Sequence, residues 1–344
     1  MSERPVDERR EASQDPSFRG LIRKGVGGIY WVETADGELL LAKPRGIFRK
    51  HNRSPMPGDR VVCSPAVDDQ ITARIDQILP RTNYLIRPPL ANLDALFLTF
   101  AVTDPEPDFL LLDKLLIVCC VLNISPVVLF TKADLQPEKA TDLAAAYHAS
   151  GFTTAVATVF EPEQLKVQLN ALLRPHAVAA FAGPSGTGKS TLINTLLGEA
   201  VMETGAVSEK LGRGRHTTRH VELLRYNSAY ITDTPGFSAL ELSDLGIEPE
   251  EVILGYPEFI RPAAGCRFHS CRHINEPLCA VADYVELLAP QMNSDPRSVQ
   301  IEDFHPELEK RFRFADHFRE RLERYRFFRE QLDAIPAYRR KQRR

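Results

Sequence analysis

The sequence predicts a multidomain α/β protein with an N-terminal β-barrel, a doubly wound and mostly parallel sheet, and a C-terminal helical domain that binds metal. Three observations lead there. Short alternating segments separated by turn residues run to about position 89. Strands then alternate with helix-length patterns to about position 232, and a cluster of cysteines and histidines follows, beyond which no strand pattern recurs.

Residues 1–17, "MSERPVDERREASQDPS", are charged and short of apolar groups; disorder is expected there, and no secretory signal. From Phe18 onward, "GGIYWVET", "ELLLAKP", "DRVVCSPA" and "ITARIDQIL" alternate in hydrophobicity between Asp-Gly, Pro-Gly and Asp-Asp turns. The length of 18–89 suits a five-stranded barrel of the OB type, although other small barrels leave the same pattern. The basic stretch "RGIFRKHNR" falls in a long inter-strand loop and offers Arg45, Arg49, Lys50 and Arg53 as candidate contacts to a phosphate-rich partner.

The rhythm changes over 90–245. "DALFLTFAV", "PVVLF", "TTAVATV" and "AVAAFAG" are strand-like, and "DFLLLDKLLIVCCVLN", "PEKATDLAAAYHAS", "EQLKVQLNALL" and "KSTLINTLLG" alternate with them as helices. Such alternation predicts a parallel sheet covered on both faces. Two further strands, near His220 to Tyr226 and Ala229 to Thr232, lead into "DTPG". In 246–344 apolar positions at Leu308, Phe312, Ala315, Phe318, Leu322, Tyr325, Phe328 and Leu332 step by threes and fours, which marks a long amphipathic helix whose aromatic stripe is a packing surface.

The net charge of -3 conceals an uneven distribution, because Arg and Lys gather in 19–60 and after Lys310 while acids gather between Glu241 and Glu258. Basic outer segments on a near-neutral whole suit a phosphate-rich partner. The longest apolar run, Phe109 to Ile124, is broken by Asp113 and Lys114 and is too short to span a bilayer, so the expected location is cytoplasmic with no membrane partner. Cys63, Cys119 and Cys120 sit among apolar neighbours as core residues. Cys266, Cys271 and Cys279 cluster with histidines, which in a cytosolic chain favours metal over disulfide.

"GPSGTGKST" (Gly183, Pro184, Ser185, Gly186, Thr187, Gly188, Lys189, Ser190, Thr191) fits the phosphate-loop pattern, entered by an apolar strand and opening a helix. Glycines let backbone N–H groups turn toward phosphate oxygens, and the helix N-terminus adds positive potential. Lys189 is placed for the β- and γ-phosphates and Ser190 for Mg²⁺. "DTPG" ends the next strand but one, so that Asp233 is placed to hold Mg²⁺ through water and the Gly236 amide to meet the γ-phosphate. Between them "GRGRHTTRH" is a candidate mobile loop, in which Thr217 or Thr218, with Thr218 preferred, supplies a second hydroxyl to Mg²⁺.

"VVLFTKADL" carries Thr131, Lys132, Ala133 and Asp134 at the end of a strand. Guanine presents adjacent N1–H and N2–H donors that a carboxylate reads by a bidentate bond, and adenine lacks that pair. Asp134 is placed for this role, and Lys132 for lying along the base. "AVAT", ending in Ala157 and Thr158, is a short loop able to offer a backbone N–H to guanine O6. Thr131 stands where many GTPases have Asn, which weakens the expected bracing of the loop. The base-side loops precede the phosphate loop, the reverse of the ordinary order. That is permitted because ligand loops lie at the carboxyl ends of strands wherever those strands fall in sequence.

In order, base loop, small-residue loop, phosphate loop, "GRGRHTT" and "DTPG" resemble the circularly permuted P-loop GTPases. With a barrel before and a cysteine cluster after, the chain resembles the ribosome small-subunit-dependent GTPase A family. The resemblance implies an OB-fold, a permuted GTPase domain and a zinc domain; a monomer is the expected state, on which the sequence itself carries no signal. It also implies GTP hydrolysis to GDP and phosphate, stimulated by the small ribosomal subunit and its rRNA during late maturation and coupled to release. Phe237 follows "DTPG" where many GTPases carry a water-orienting Gln, so slow intrinsic turnover is expected. The resemblance points to His216 as the catalytic substitute.

"CRFHSCRHINEPLC" offers Cys266, Cys271, His273 and Cys279, three thiolates and an imidazole that complete a closed tetrahedral, structural Zn²⁺ shell. His269 is a rival fourth ligand by spacing; the family pattern favours His273. An ATP-using P-loop enzyme would share the phosphate loop but leave Asp134 without a purpose, and an RNA-binding zinc protein would use nucleotide only to set its conformation.

Overall fold

The structure, a computed structural model, describes residues 17–46, 48, 54–66, 71–158, 160–198, 221–234, 241–288 and 314–336. They form two compact units, divided between Arg81 and Thr82.

In the first unit five strands close a barrel in the order β1-β2-β3-β5-β4: β1 Phe18–Val26, β2 Ile29–Thr34, β3 Leu39–Pro44, β4 Arg60–Pro65 and β5 Ala73–Ile78. All neighbours are antiparallel except β3 and β5. Alternate side chains point inward, and Ile22, Val32, Ala42, Val61, Cys63, Ala73, Ile75 and Ile78 make one buried cluster. The strand β1, "FRGLIRKGV", stands apart from the four quoted alternating segments, because its interleaved Arg and Gly residues mask its period.

The second unit opens with a hairpin, β6 Tyr84–Ile86 and β7 Pro89–Ala91. Its sheet runs β10-β9-β8-β11-β13-β12, with β8 Ala95–Ala101, β9 Ser125–Thr131, β10 Thr153–Val156, β11 Val178–Ala182, β12 Leu224–Tyr226 and β13 Ala229–Asp233. Every pair is parallel except β12 with β13. All residues of β8 and β11 are buried, as strands covered on both faces must be. One face is covered by α3 (Pro162–Leu173) and α4 (Lys189–Leu197), whose Leu165, Leu169, Leu173, Leu192, Ile193 and Leu196 pack on Phe97, Leu129, Phe181 and Ile231. Helices α1 (Phe109–Val121) and α2 (Pro137–Ala149) pack elsewhere on β8, β9 and β10, with Tyr147 of α2 against Phe130. Asp108 caps α1 by accepting from Leu111 N at 2.9 Å, and Pro137 and Pro162 open the next two helices, where a missing N–H costs nothing. Strand order reverses between β8 and β11, so a crevice opens at their carboxyl ends.

Beyond the sheet the unit is helical: 3-10 segments Leu242–Leu245 and Pro249–Gly255, then α5 Pro257–Ala263, α6 Ala280–Leu288 and α7 Ala315–Asp333. The stripe read from sequence holds for Ala315, Phe318, Leu322, Tyr325, Phe328 and Leu332, all buried; Leu308 and Phe312 lie outside the described residues. Arg321 and Arg329 are buried with the stripe, where periodicity alone would leave them in solvent. Arg321 enters because acceptors await it: Asp113 Oδ1 of α1 at 2.5 Å, Gly255 O at 2.9 Å and the Glu258 carboxylate. Arg324 Nε takes the other Asp113 oxygen at 2.7 Å. The 3-10 segment lies directly on α1 at Gly255, where a Cβ would come within 2.8 Å of Ile117 Cα.

Candidate functional site

The loop after β11 turns by glycine. At Gly183, φ is +145° and a Cβ would stand 2.1 Å from Thr99 O of β8, so no other residue fits. Gly188, at φ +90°, caps α4 from the left-handed region and turns the loop into the helix. Ser185 and Gly186 face solvent at the loop's crown, whereas Thr187 is buried, its hydroxyl donating to Pro184 O at 3.0 Å. Lys189 folds back over the loop, donating to Gly183 O at 2.9 Å and Pro184 O at 2.7 Å. Ser190 and Thr191 follow in the first turn of α4.

Asp233 ends β13 next to this lysine. Burial raises its pKa, against the pull of Lys189, and burial lowers that of Lys189, against the pull of Asp233. Among the described residues Asp233 Oδ1 is buried with no hydrogen-bond partner. An orphaned carboxylate oxygen at the mouth of a phosphate loop fits a hydrated Mg²⁺, with the Ser190 hydroxyl as a further oxygen ligand.

The base-side loops meet the phosphate loop through side chains. Thr131 Oγ1 donates to Thr187 O at 2.7 Å, so the bracing that the Asn-to-Thr change was expected to weaken is made by the hydroxyl. Lys132, at φ +55°, turns its ammonium onto Asp104 O in the loop after β8. Ala133 is buried and Asp134 exposed, and Thr158 Oγ1 donates to Asp134 Oδ1 at 3.1 Å. The Ala157 N–H is engaged with Phe130 O at 2.8 Å, which removes it as a donor to a base. Thus Thr131, Lys132, Asp134, Thr158, Thr187, Lys189 and Asp233 gather around the carboxyl ends of β8, β9, β10, β11 and β13. His216, Thr217, Thr218, Gly236 and Phe237 lie outside the described residues.

Arg45, in the barrel unit, is described; its Nε pairs with Asp76 Oδ1 at 2.6 Å while the side chain stays half exposed. Arg49, Lys50 and Arg53 lie outside the described residues.

Cys266, Cys271, His273 and Cys279 converge, their ligand atoms all within 4.8 Å of one another. The Sγ atoms of Cys266 and Cys279 each lie 3.5 Å from His273 Nδ1. Zinc bonds of ~2.3 Å to sulfur and ~2.0 Å to nitrogen at a tetrahedral angle require an S···N separation of about 3.5 Å. The donor set and spacing therefore fit Zn²⁺, and His269 is outside the cluster. The sequence reading missed what surrounds these four. Glu276 Oε2 accepts from Ile274 N at 3.0 Å, and Tyr325 and Arg326 of α7 donate to the Arg272 and His273 carbonyls. It also missed the pairing of Asp113, whose presence inside an apolar helix was the available signal, since a carboxylate there needs a cation.

A Gly-rich phosphate loop on a doubly wound sheet, with a Thr-Lys-x-Asp loop that precedes it in sequence yet braces it in space, defines a circularly permuted P-loop GTPase fold. Residues 19–73 match the family model described as RsgA N-terminal domain, and 78–243 that described as RsgA GTPase. The chain belongs to the RsgA GTPase family. It is 41% identical over 284 residues to the "Small ribosomal subunit biogenesis GTPase RsgA" of Ruminiclostridium cellulolyticum, covering 82% of this chain and 92% of that protein. It is 41% identical over 274 residues to the protein of the same name from Caldanaerobacter subterraneus, covering 78% and 89%. Among solved structures, YjeQ from Thermotoga maritima matches with a TM-score of 0.68 at 28% identity, over 93% of this chain and 100% of that one. YloQ, titled a circularly permuted GTPase, matches at 0.63 and 26% identity, over 91% and 99%. No helix among the described residues is long and apolar enough to cross a membrane.

Proposed function

We propose that this chain hydrolyses GTP to GDP and phosphate on the small ribosomal subunit, in the cytoplasm, late in the maturation of that subunit, and that hydrolysis is coupled to its release. The relatives' printed names supply the process; the Thr131 to Thr187 bond, which makes base reading and phosphate binding one site, supports the nucleotide. Asp134, oriented by Thr158, accepts from the guanine N1–H and N2–H, and Lys132 lies along the base. Backbone N–H groups of the loop from Gly183 to Thr191, Pro184 excepted because it has none, and the Lys189 ammonium take the phosphates once Lys189 leaves its own loop's carbonyls. Ser190, Thr218 and Asp233 would hold Mg²⁺, which when bound would neutralise charge developing on the transferred phosphate. Gly236 meets the γ-phosphate and His216 orients the attacking water. The closed Cys₃His shell holds one structural zinc. RNA contacts fall to Arg45, Arg49, Lys50 and Arg53 in a barrel domain of 18–89, with the GTPase domain at 90–245 and the zinc domain at 246–344.

Phosphate release measured from GTP and from ATP, each with and without purified small subunits, tests the reading. Release is expected from GTP, slow alone and faster with subunits. Equal release from ATP, or no acceleration by subunits, would overturn it.

A further inference from the structure

His273 is the ligand whose backbone is least at ease. Its φ is +60°, in the left-handed region that non-glycine residues seldom occupy. Such a conformation persists where the surroundings over-determine it. Here the restraint comes from a distant helix. Tyr325 Oη of α7 donates to Arg272 O at 3.1 Å, and Arg326 Nε donates to His273 O at 3.0 Å. The two bonds grip the carbonyls on either side of the His273 Cα, and the Tyr325 ring packs 5.9 Å from the imidazole. The rotation they fix is the one that puts Nδ1 at 3.5 Å from the sulfurs of Cys266 and Cys279.

We propose that Tyr325 and Arg326 are positioning residues of the metal centre, holding His273 in its ligating conformation from the C-terminal helix. Zinc retention is then a property of α7 as much as of the loop that carries the four ligands. Partners that orient metal ligands typically change affinity by about 10–100-fold when removed. Tyr325→Phe deletes one hydroxyl and keeps the ring; Arg326→Met deletes the donor and keeps much of the stem.

The inference rests on the structural-zinc reading, and the test separates the two. Full-length wild type, Tyr325→Phe, Arg326→Met and Arg324→Met are purified with zinc, and metal release into excess chelator is followed by a colorimetric indicator. Arg324→Met is the control, because Arg324 secures α7 to Asp113 and contacts no zinc-loop carbonyl. Both Tyr325→Phe and Arg326→Met are expected to release zinc about 10-fold faster or more, and Arg324→Met at the wild-type rate. Cobalt-substituted Tyr325→Phe and Arg326→Met should show weakened, shifted d–d bands, reporting a displaced nitrogen ligand. Wild type that neither carries nor takes up one zinc overturns the zinc reading. Zinc-loaded wild type matched by Tyr325→Phe and Arg326→Met in release and spectrum overturns the positioning role alone, as does equal acceleration in Arg324→Met.

Discussion

Asp113 and Arg321 stand 208 positions apart in the chain and meet at 2.5 Å with both side chains fully buried. The same guanidinium bonds to Glu258 and Gly255 O, and its carbon lies 4.6 Å from the Tyr256 ring centroid. One arginine thus joins α1, the 3-10 segment, α5 and α7. The sheet and the helical C-terminal part are pinned together by charge in a place where water cannot substitute.

Arg321→Met leaves Asp113 with Arg324 as its one cation and the Tyr147 hydroxyl at 3.2 Å, and Glu258 without its guanidinium. Stranding a buried carboxylate costs about 3–5 kcal/mol, far more than the net gain from the pair itself. Urea unfolding of the second unit, followed by circular dichroism, should show a loss of that size. A loss below about 1 kcal/mol would mean that Glu258 and Asp113 find solvent or another cation.

Thr131→Val keeps shape and burial but removes the hydroxyl that reaches Thr187 O. A lost hydrogen bond plus a stranded carbonyl amounts to about 1–2 kcal/mol. On the proposed reading this appears as a roughly 5–30-fold weaker affinity for a fluorescent GDP analogue. An unchanged dissociation constant would show that the base loop needs no brace from the phosphate loop.

Much of this was legible beforehand. The strand and helix patterns of 90–245 anticipate β8 to β13 and α1 to α4 because fully buried strands and amphipathic helices leave strong periods. The four metal ligands were legible from residue type and spacing. What escaped was pairing at long range: Asp113 with Arg321, Thr131 with Thr187, Tyr325 with the Arg272 carbonyl. Periodicity reports which face a residue occupies, not which polar group from a remote segment meets it there. A backbone carbonyl, such as Arg272 O or Thr99 O against Gly183, leaves no trace in sequence at all.

Asp233→Asn is expected to stabilise the protein free of metal and nucleotide near neutral pH while abolishing Mg²⁺-dependent hydrolysis. Burial raises the folded-state pKa of Asp233 above its unfolded value, so protonation favours folding. That contribution is fully present below the unfolded carboxyl range and is lost as pH rises through the folded value. The neutral amide removes the loss, so its advantage should fade as pH falls below the raised pKa. Melting curves without Mg²⁺ over a pH series descending from neutrality into the carboxyl range check this. A destabilised Asp233→Asn at pH 7 would show that the Lys189 attraction outweighs burial.

His317 joins α7 to the end of α2. It sits at the start of α7, 3.0 Å from Ser150 Oγ through Nε2 and edge-on to the Tyr147 ring at 4.8 Å. Burial, followed by the Arg321 and Arg324 charges, holds its pKa far below the ordinary histidine value, so the folded protein keeps it neutral. The unfolded chain takes up a proton near pH 6.5, which the folded ring refuses. Stability from this residue is therefore intact above that value and lost as pH falls below it, with a slope approaching about 1.4 kcal/mol per pH unit. His317→Gln can preserve a hydrogen bond to Ser150 without a titrating ring. Its unfolding free energy should lie below wild type at pH 7.5 and decline less steeply between pH 6.5 and pH 5. Parallel slopes for the two proteins would show that the His317 ring takes up its proton in the folded state, with the two arginines turning aside to admit it.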